Sequence, residues 1–350
     1  MDKERKTVSL ISRESDNITL DFQLLKDELE SRGIEVLVLA KQLRKKLSLS
    51  TLTYIGEVIK QKKAINSSGV VVLDTYCIPA SMFQHNDDTT IIQMWHALSA
   101  IKQFGWQTVG KEEGTSNRVA KLMKMHNGYD KVLCASDVTS NFFCEAFRTS
   151  KDKIVKIGLP RIDYILNDNK EVANKVRDFY PLLNNKKKTI LYAPTFRGGR
   201  GVDVEGLAKA IDFSKYNLIV KLHPLDKLST KQSTINGMVI DETFNSYDLL
   251  KVADIVISDY SSFVVEASLT SKPLYLYTYD RKQYKQSTGL NVDFSDESIG
   301  KYEFDNAEDL IESWKDDYDY FALRCFREKY IDVDTNNCTK QLADYIEDSL

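Results

Sequence analysis

The tetrapeptide Asp259-Tyr260-Ser261-Ser262 joins an apolar β-branched run, Asp254-Ile255-Val256-Ile257-Ser258, to a helical pattern, Phe263-Val264-Val265-Glu266-Ala267-Ser268-Leu269. A strand that turns straight into a helix points several main-chain N–H groups outward at the positive end of the helix dipole. Small hydroxylated residues there let an anion come close, so the turn suits a phosphate or pyrophosphate. Ser and Asp are also ordinary helix caps. The neighbours decide between the two readings.

Two of the four histidines stand at the ends of apolar runs. His96 closes Ile91-Ile92-Gln93-Met94-Trp95-His96, and His223 closes Leu218-Ile219-Val220-Lys221-Leu222-His223 ahead of Pro224, which stops the strand. A neutral imidazole can take the proton of an attacking hydroxyl, and an imidazolium can neutralise phosphate oxygens. His85 and His126 lie in polar or helical surroundings and read as surface residues. The segment Ala193-Pro194-Thr195-Phe196-Arg197-Gly198-Gly199-Arg200-Gly201 sets two arginines among glycines. Glycine permits close backbone approach and a guanidinium offers a bidentate phosphate contact. The glycine spacing fits neither a dinucleotide fingerprint nor a P-loop, and a plain surface loop is the bland alternative.

These segments need elements to hold them. Strands are predicted at 8–11, 34–40, 70–73, 90–94, 131–135 and 154–157, then at 189–193, 218–222, 238–240, 254–258 and 274–277. Helices are predicted at 20–31 and 138–147, then at 204–211, 247–252, 261–269 and from 308 to the end. Strand–helix alternation of this kind implies an α/β fold with parallel sheets covered by helices on both faces. The expected organisation is two Rossmann-like domains, 1–165 and 188–350, with a polar interdomain region at 166–187 and a cleft between them. In such sheets ligands bind at the carboxyl ends of the strands.

Composition sets the remaining bounds. The chain has 350 residues, 42% hydrophobic and 28% charged, which suits a soluble globular protein of two domains. No apolar stretch reaches the roughly 18 residues of a membrane span, and the start lacks a signal-peptide core. Five scattered cysteines without zinc spacing fit a reduced, cytoplasmic setting. The net charge of −3 divides unevenly, with 23 Lys and Arg against 19 Asp and Glu in residues 1–160. Lys41, Arg44, Lys45, Lys46, Lys60, Lys62 and Lys63 flank Leu43, Leu47, Leu49, Leu52, Ile55, Val58 and Ile59. That pattern fits either a basic amphipathic segment on an anionic membrane or a solvated helix face.

Taken in order, Trp95-His96, Gly158-Leu159-Pro160-Arg161, Ala193-Pro194-Thr195-Phe196-Arg197, Lys221-Leu222-His223-Pro224, Ser258-Asp259-Tyr260-Ser261-Ser262 and Lys272-Pro273 resemble the CDP-glycerol glycerophosphotransferase family. Ser12-Arg13 and Leu20-Asp21-Phe22 fit the same pattern. The resemblance runs from about Val8 to Tyr284. It implies a GT-B-like fold and transfer of glycerol phosphate or ribitol phosphate from a CDP-polyol to a hydroxyl of a lipid-linked acceptor, with release of CMP. By resemblance His96 and His223 are the catalytic pair. The donor site then falls on Ser258, Asp259, Ser261, Ser262, Thr195, Arg197, Lys221 and Asp248, and Trp95 and Arg161 join the substrate-binding set.

No cofactor or metal is expected, since the CDP-polyol is a substrate, and no nucleic-acid partner. An oligomer is compatible with the sequence. Location is expected on the inner face of the cell membrane, peripherally bound. After Trp95-His96 the chain carries Ala97-Leu98-Ser99-Ala100, where many members have Gly-Thr-Pro. That departure leaves the acceptor outside what the resemblance assigns, with primase and polymerase both open. Transfer by in-line attack on the β-phosphorus would rest on positioning and charge neutralisation. A nucleotide-sugar glycosyltransferase or epimerase of the same architecture is one alternative. A non-catalytic scaffold of a surface-polymer complex is another, although a scaffold has no need of two histidines.

Overall fold

The computed structural model describes residues 6–42, 49–112, 114–197, 201–223 and 235–350, side chains excepted at 49–54. Leu43 to Leu47, Gly198 to Arg200 and Pro224 therefore lie outside the described residues. The chain forms two compact units, Met1–Asp163 with Tyr330–Leu350, and Tyr164–Lys329.

Each unit is built on a six-stranded sheet in which every pairing is parallel. The first contains β1 (Thr7–Ser12), β2 (Glu35–Ala40), β3 (Val70–Leu73), β4 (Thr90–Gln93), β5 (Lys131–Cys134) and β6 (Ile154–Lys156), in the order β2-β1-β3-β4-β5-β6. The second contains β7 (Lys188–Tyr192), β8 (Tyr216–Val220), β9 (Met238–Ile240), β10 (Ile255–Ser258), β11 (Leu274–Tyr277) and β12 (Glu303–Phe304), in the order β12-β11-β10-β7-β8-β9. Strands buried on both faces read as continuous apolar runs, and Val70-Val71-Val72-Leu73 is wholly buried. Helix Leu20–Ser31 forms as expected because Phe22, Leu25 and Leu29 fall on one face and pack inward. The two-residue β12 escapes sequence detection because it is too short to show a period.

Both sheets reverse strand order once, between β1 and β3 in the first and between β7 and β10 in the second. The carboxyl ends flanking a reversal open a crevice, which is where ligands of open α/β sheets bind.

The domain limits differ from expectation at the carboxyl terminus. Tyr330–Leu350 joins the first unit rather than the second. Helix Cys338–Glu347 is held there by Arg32, whose guanidinium reaches Asp344 at 2.7 Å and Glu347 at 3.1 Å. Asp163 accepts the N–H groups of Cys338 and Thr339, each at 2.8 Å. A Cβ on Gly158 would stand 2.6 Å from Cys338 Sγ, so the close approach of this helix explains the glycine of Gly158-Leu159-Pro160-Arg161. The expected interdomain stretch includes a regular helix, Lys170–Phe179, which lies in the second unit.

Candidate active site

In the first unit β4 ends at Gln93, whose buried side chain directs the turn that follows. Its amide donates to the Thr75 carbonyl at 3.2 Å, and its Oε1 accepts the Trp95 N–H at 2.9 Å. Trp95 adopts φ 59°, a left-handed conformation that costs a non-glycine residue energy and bends the chain over the end of β3. His96 then lies with Nδ1 3.0 Å from the main-chain carbonyl oxygen of Asp74. A carbonyl can only accept, so Nδ1 carries the proton and Nε2 of the neutral ring keeps the lone pair. The Trp95 ring packs on the imidazole at 4.1 Å and on Phe104 at 4.6 Å.

Around His96 the residues that follow the strand ends are polar and hydrogen-bonded to one another. The Arg13 N–H donates to Thr75 Oγ1 at 3.0 Å, joining the ends of β1 and β3 across the switch point. Asp74 is buried, with Thr19 Oγ1 3.4 Å from Oδ2 and no partner on Oδ1 among the described residues. Burial raises its carboxyl to about 7, and Glu14 and Asp21 add to the rise. Arg161, expected at the substrate, is engaged by buried Asp21: its N–H reaches Oδ1 and its Nε reaches Oδ2, both at 2.8 Å.

His126 corrects the sequence reading. It is buried rather than superficial, with Nδ1 3.0 Å from the Tyr129 hydroxyl and its ring 5.9 Å from Trp95. Burial, with Arg13 and His96 nearby, lowers its pKa to about 3, so it stays neutral. His85 is half-buried, 3.9 Å from Asp130.

In the second unit the predicted donor residues gather where β7 and β10 end. Ser258 donates its hydroxyl to the Ala193 carbonyl at 2.7 Å. The buried Asp259 accepts the Thr195 N–H on both oxygens, at 2.9 and 3.0 Å, and Arg197 at 2.7 Å. Thr195 Oγ1 is buried without a hydrogen-bond partner among the described residues. Ser261 and Ser262 are half-buried ahead of helix Phe263–Ser268. Ser262 sits in the cap position with φ −58° and makes no side-chain cap bond.

Arg197 departs from expectation. Its side chain is fully buried, 2.8 Å from Asp280 as well as bonded to Asp259, and the rings of Tyr260, Tyr279 and Tyr284 stand 5.1 to 5.5 Å from the guanidinium. Two carboxylates and three aromatic faces outcompete the open loop for this cation. Arg197 thus positions the Thr195–Asp259 corner instead of lining its open face.

Lys221 follows β8 and reaches Asp241 at 2.7 Å; the buried Asp241 also accepts the Tyr180 hydroxyl at 2.8 Å. His223 is exposed, and its ring lies 5.1 Å from that of Phe196 in the loop after the neighbouring strand β7. Asp248 accepts the Tyr164 hydroxyl, and its helix, Ser246–Leu250, is capped by Asn245. The adjacent Tyr247 donates to buried Glu266 at 2.7 Å. Lys272 donates to the Leu250 carbonyl at the end of this helix and to the Ala253 carbonyl just after it, and burial lowers its pKa to about 8.

Sequence reasoning missed Asp74, Asp241 and Asp280. Asp74 and Asp241 each come directly after an apolar strand, a signal that was present in the sequence. Among the described residues no group of three His, Cys, Asp or Glu side chains could hold a metal ion.

The profile of a family described as CDP-glycerol:poly(glycerophosphate) glycerophosphotransferase matches residues 1–348. The chain belongs to this family. It is similar to the teichoic acid ribitol-phosphate primase of Bacillus spizizenii, 27% identical over 349 residues that cover 96% of this chain and 88% of that protein. The teichoic acid glycerol-phosphate primase of Bacillus subtilis is 30% identical over 296 residues, covering 83% and 76%. The solved wall teichoic acid polymerase TagF superposes with a TM-score of 0.77 at 18% identity, over 99% of this chain and 89% of the other. A UDP-GlcNAc 2-epimerase of Methanocaldococcus jannaschii superposes at 0.60 with 15% identity, over 97% and 99%. The fold is GT-B-like, as the family resemblance implied.

Proposed function

We propose that this protein transfers a polyol phosphate, glycerol phosphate or ribitol phosphate, from a CDP-polyol to a hydroxyl of a lipid-linked surface-polymer acceptor, releasing CMP. Family membership supports transfer of this class. The observation that carries the mechanistic reading is the His96–Asp74 contact, which leaves Nε2 as proton acceptor. In this reading His96 is the general base for the acceptor hydroxyl, worth roughly 10²–10⁴-fold in rate. The turn at Ser261 and Ser262 receives the donor pyrophosphate through main-chain N–H groups and hydroxyls. Thr195 adds a hydroxyl beside it, and His223 offsets charge on the transferring phosphoryl.

The same reading places the protein at an anionic membrane surface. Ile55 and Ile59 are each 54% exposed one helical turn apart, with Lys60, Lys62 and Lys63 exposed beside them. Such a face supports docking by apolar insertion and charge attraction together.

The deciding experiment measures CMP release from CDP-glycerol and CDP-ribitol in the presence of a lipid-linked saccharide acceptor. Turnover of either donor supports the reading. Turnover of UDP-sugars alone overturns it.

A further inference from the structure

Asp74 meets the rest of the first unit in two ways. Its main-chain oxygen accepts from His96 Nδ1 at 3.0 Å, and its carboxyl is buried. Buried carboxyls are normally paired with a cation or with several donors. Here Oδ2 has Thr19 Oγ1 at 3.4 Å, and Oδ1 is buried with no hydrogen-bond partner among the described residues. Burial, then the carboxylates of Glu14 after β1 and of Asp21 in helix Leu20–Ser31, oppose ionisation, and the side chains of Ser12 and Thr75 only partly offset them. The cations on the neighbouring segments are engaged elsewhere. Arg161 bonds Asp21, with Nε 2.8 Å from Oδ2. Arg13 reaches the Tyr76 carbonyl at 2.8 Å and lies over the Tyr76 ring at 5.3 Å. His96 turns Nδ1 to the main chain of Asp74 rather than to the carboxyl.

The segment from Asp74 to Tyr76 lies between β3 and helix Ile78–Met82, outside regular structure. It can therefore shift without breaking a strand pairing. An ionised Asp74 is a buried charge that faces two carboxylates with one oxygen unbonded. Drawing in water or moving the segment relieves that state. Either response displaces the carbonyl that holds His96, because carbonyl and carboxyl belong to one residue. An imidazole that loses this acceptor no longer has its tautomer set. The protonated carboxyl avoids the whole sequence, and its pKa of about 7 keeps it available in that form near neutrality.

We propose that Asp74 is a positioning residue that acts as a proton-sensitive latch on His96. With the carboxyl protonated, the end of β3 holds His96 as the Nδ1–H tautomer, and Nε2 takes the proton of the acceptor hydroxyl. Ionisation of the carboxyl releases the ring and lowers turnover. Asp74 touches no substrate in this scheme. The proposal rests on His96 as the base named above, and it adds an alkaline limit to activity that is set by a carboxyl.

Two measurements on the full chain test it. The first is the pH profile of kcat for CMP release from CDP-glycerol or CDP-ribitol. Turnover of the parent should fall on the alkaline side with a midpoint near about 7. Asp74→Asn is neutral at every pH, so its alkaline limb should lie at least about one pH unit higher. Glu14→Gln removes an exposed carboxylate that helps keep the proton on Asp74. Its folding is not at risk, and its limb should move the other way, by roughly half a pH unit. The second measurement is nitrogen-15 NMR of the histidine-labelled chain at about pH 8.5, with the His96 signals assigned by their loss in His96→Ala. Asp74→Asn should show the Nδ1–H tautomer and the parent a mixture. Coincident pH profiles for the parent and Asp74→Asn, or one His96 tautomer shared by both, would overturn the latch. The NMR comparison needs no substrate. A chain that released no CMP from either donor would sink the transfer reaction, and the tautomers would still decide the role of Asp74.

Discussion

The Nδ1 atom of His96 lies 3.0 Å from the main-chain carbonyl oxygen of Asp74. A main-chain acceptor selects the neutral tautomer that carries its proton on Nδ1 and leaves the lone pair on Nε2. The orientation depends on the turn at Trp95, which Gln93 fixes from both sides. His96 is therefore held in place by the strand ends themselves.

Replacing His96 by Ala should lower turnover by roughly 10²–10⁴-fold. The melting temperature should stay close to that of the parent, because the ring is only half-buried and bonds a main-chain carbonyl just past the end of β3. A large drop in thermal stability with modest loss of turnover would mark the histidine as structural. His223→Ala is expected to follow the same pattern, since that side chain is exposed.

Arg197→Ala should behave differently. Removing the guanidinium leaves the fully buried Asp259 uncompensated, at a cost of about 3–5 kcal/mol. Chemical denaturation should show that loss before any donor titration is interpreted. A variant as stable as the parent would mean the cation belongs to the ligand and not to the fold.

Ser262→Ala should weaken CDP-polyol binding only modestly, because main-chain N–H donors at the turn remain. Calorimetry decides it. Parent-like binding by a Ser261→Ala/Ser262→Ala double variant would move the pyrophosphate away from this turn.

Asp74→Asn tests the buried carboxyl through stability. Its pKa is raised from 3.8 to about 7 in the folded state, so the folded chain keeps a proton that the unfolded chain has lost between those values. The parent therefore loses stability as pH rises through that window, on the order of a few kcal/mol at most. The asparagine variant lacks that loss, so its melting temperature relative to the parent should climb from pH 4 to about 8. A difference that stays constant with pH would mean the carboxyl ionises normally.

Vesicle co-sedimentation should require anionic lipid and decline as salt rises over a Debye length of about 8–10 Å. Ile59→Glu combined with Lys62→Glu and Lys63→Glu should abolish it. Binding indifferent to both salt and those changes would identify the helix face as merely solvated.

Much of the architecture was legible in the sequence because parallel strands buried on both faces leave short unbroken apolar runs. Val70 to Leu73, Met238 to Ile240 and Leu274 to Tyr277 match their predicted limits for that reason. The strand ends also announced themselves, since a polar residue after such a run lies at the carboxyl edge where ligands bind. Ser258, Asp259, His96 and His223 all follow such runs in the sequence.

Tertiary structure decided what each polar side chain faces. Arg197 and His126 looked available and are buried, because the aromatic residues that enclose them come from segments 63 to 87 positions away for Arg197 and from 95 and 147 for His126. Tyr330–Leu350 follows the second unit in sequence but packs with the first, drawn by Arg32 and Asp163. Local pattern encodes the period and the ends of each element. Burial and ion pairing depend on residues that only the folded chain brings together.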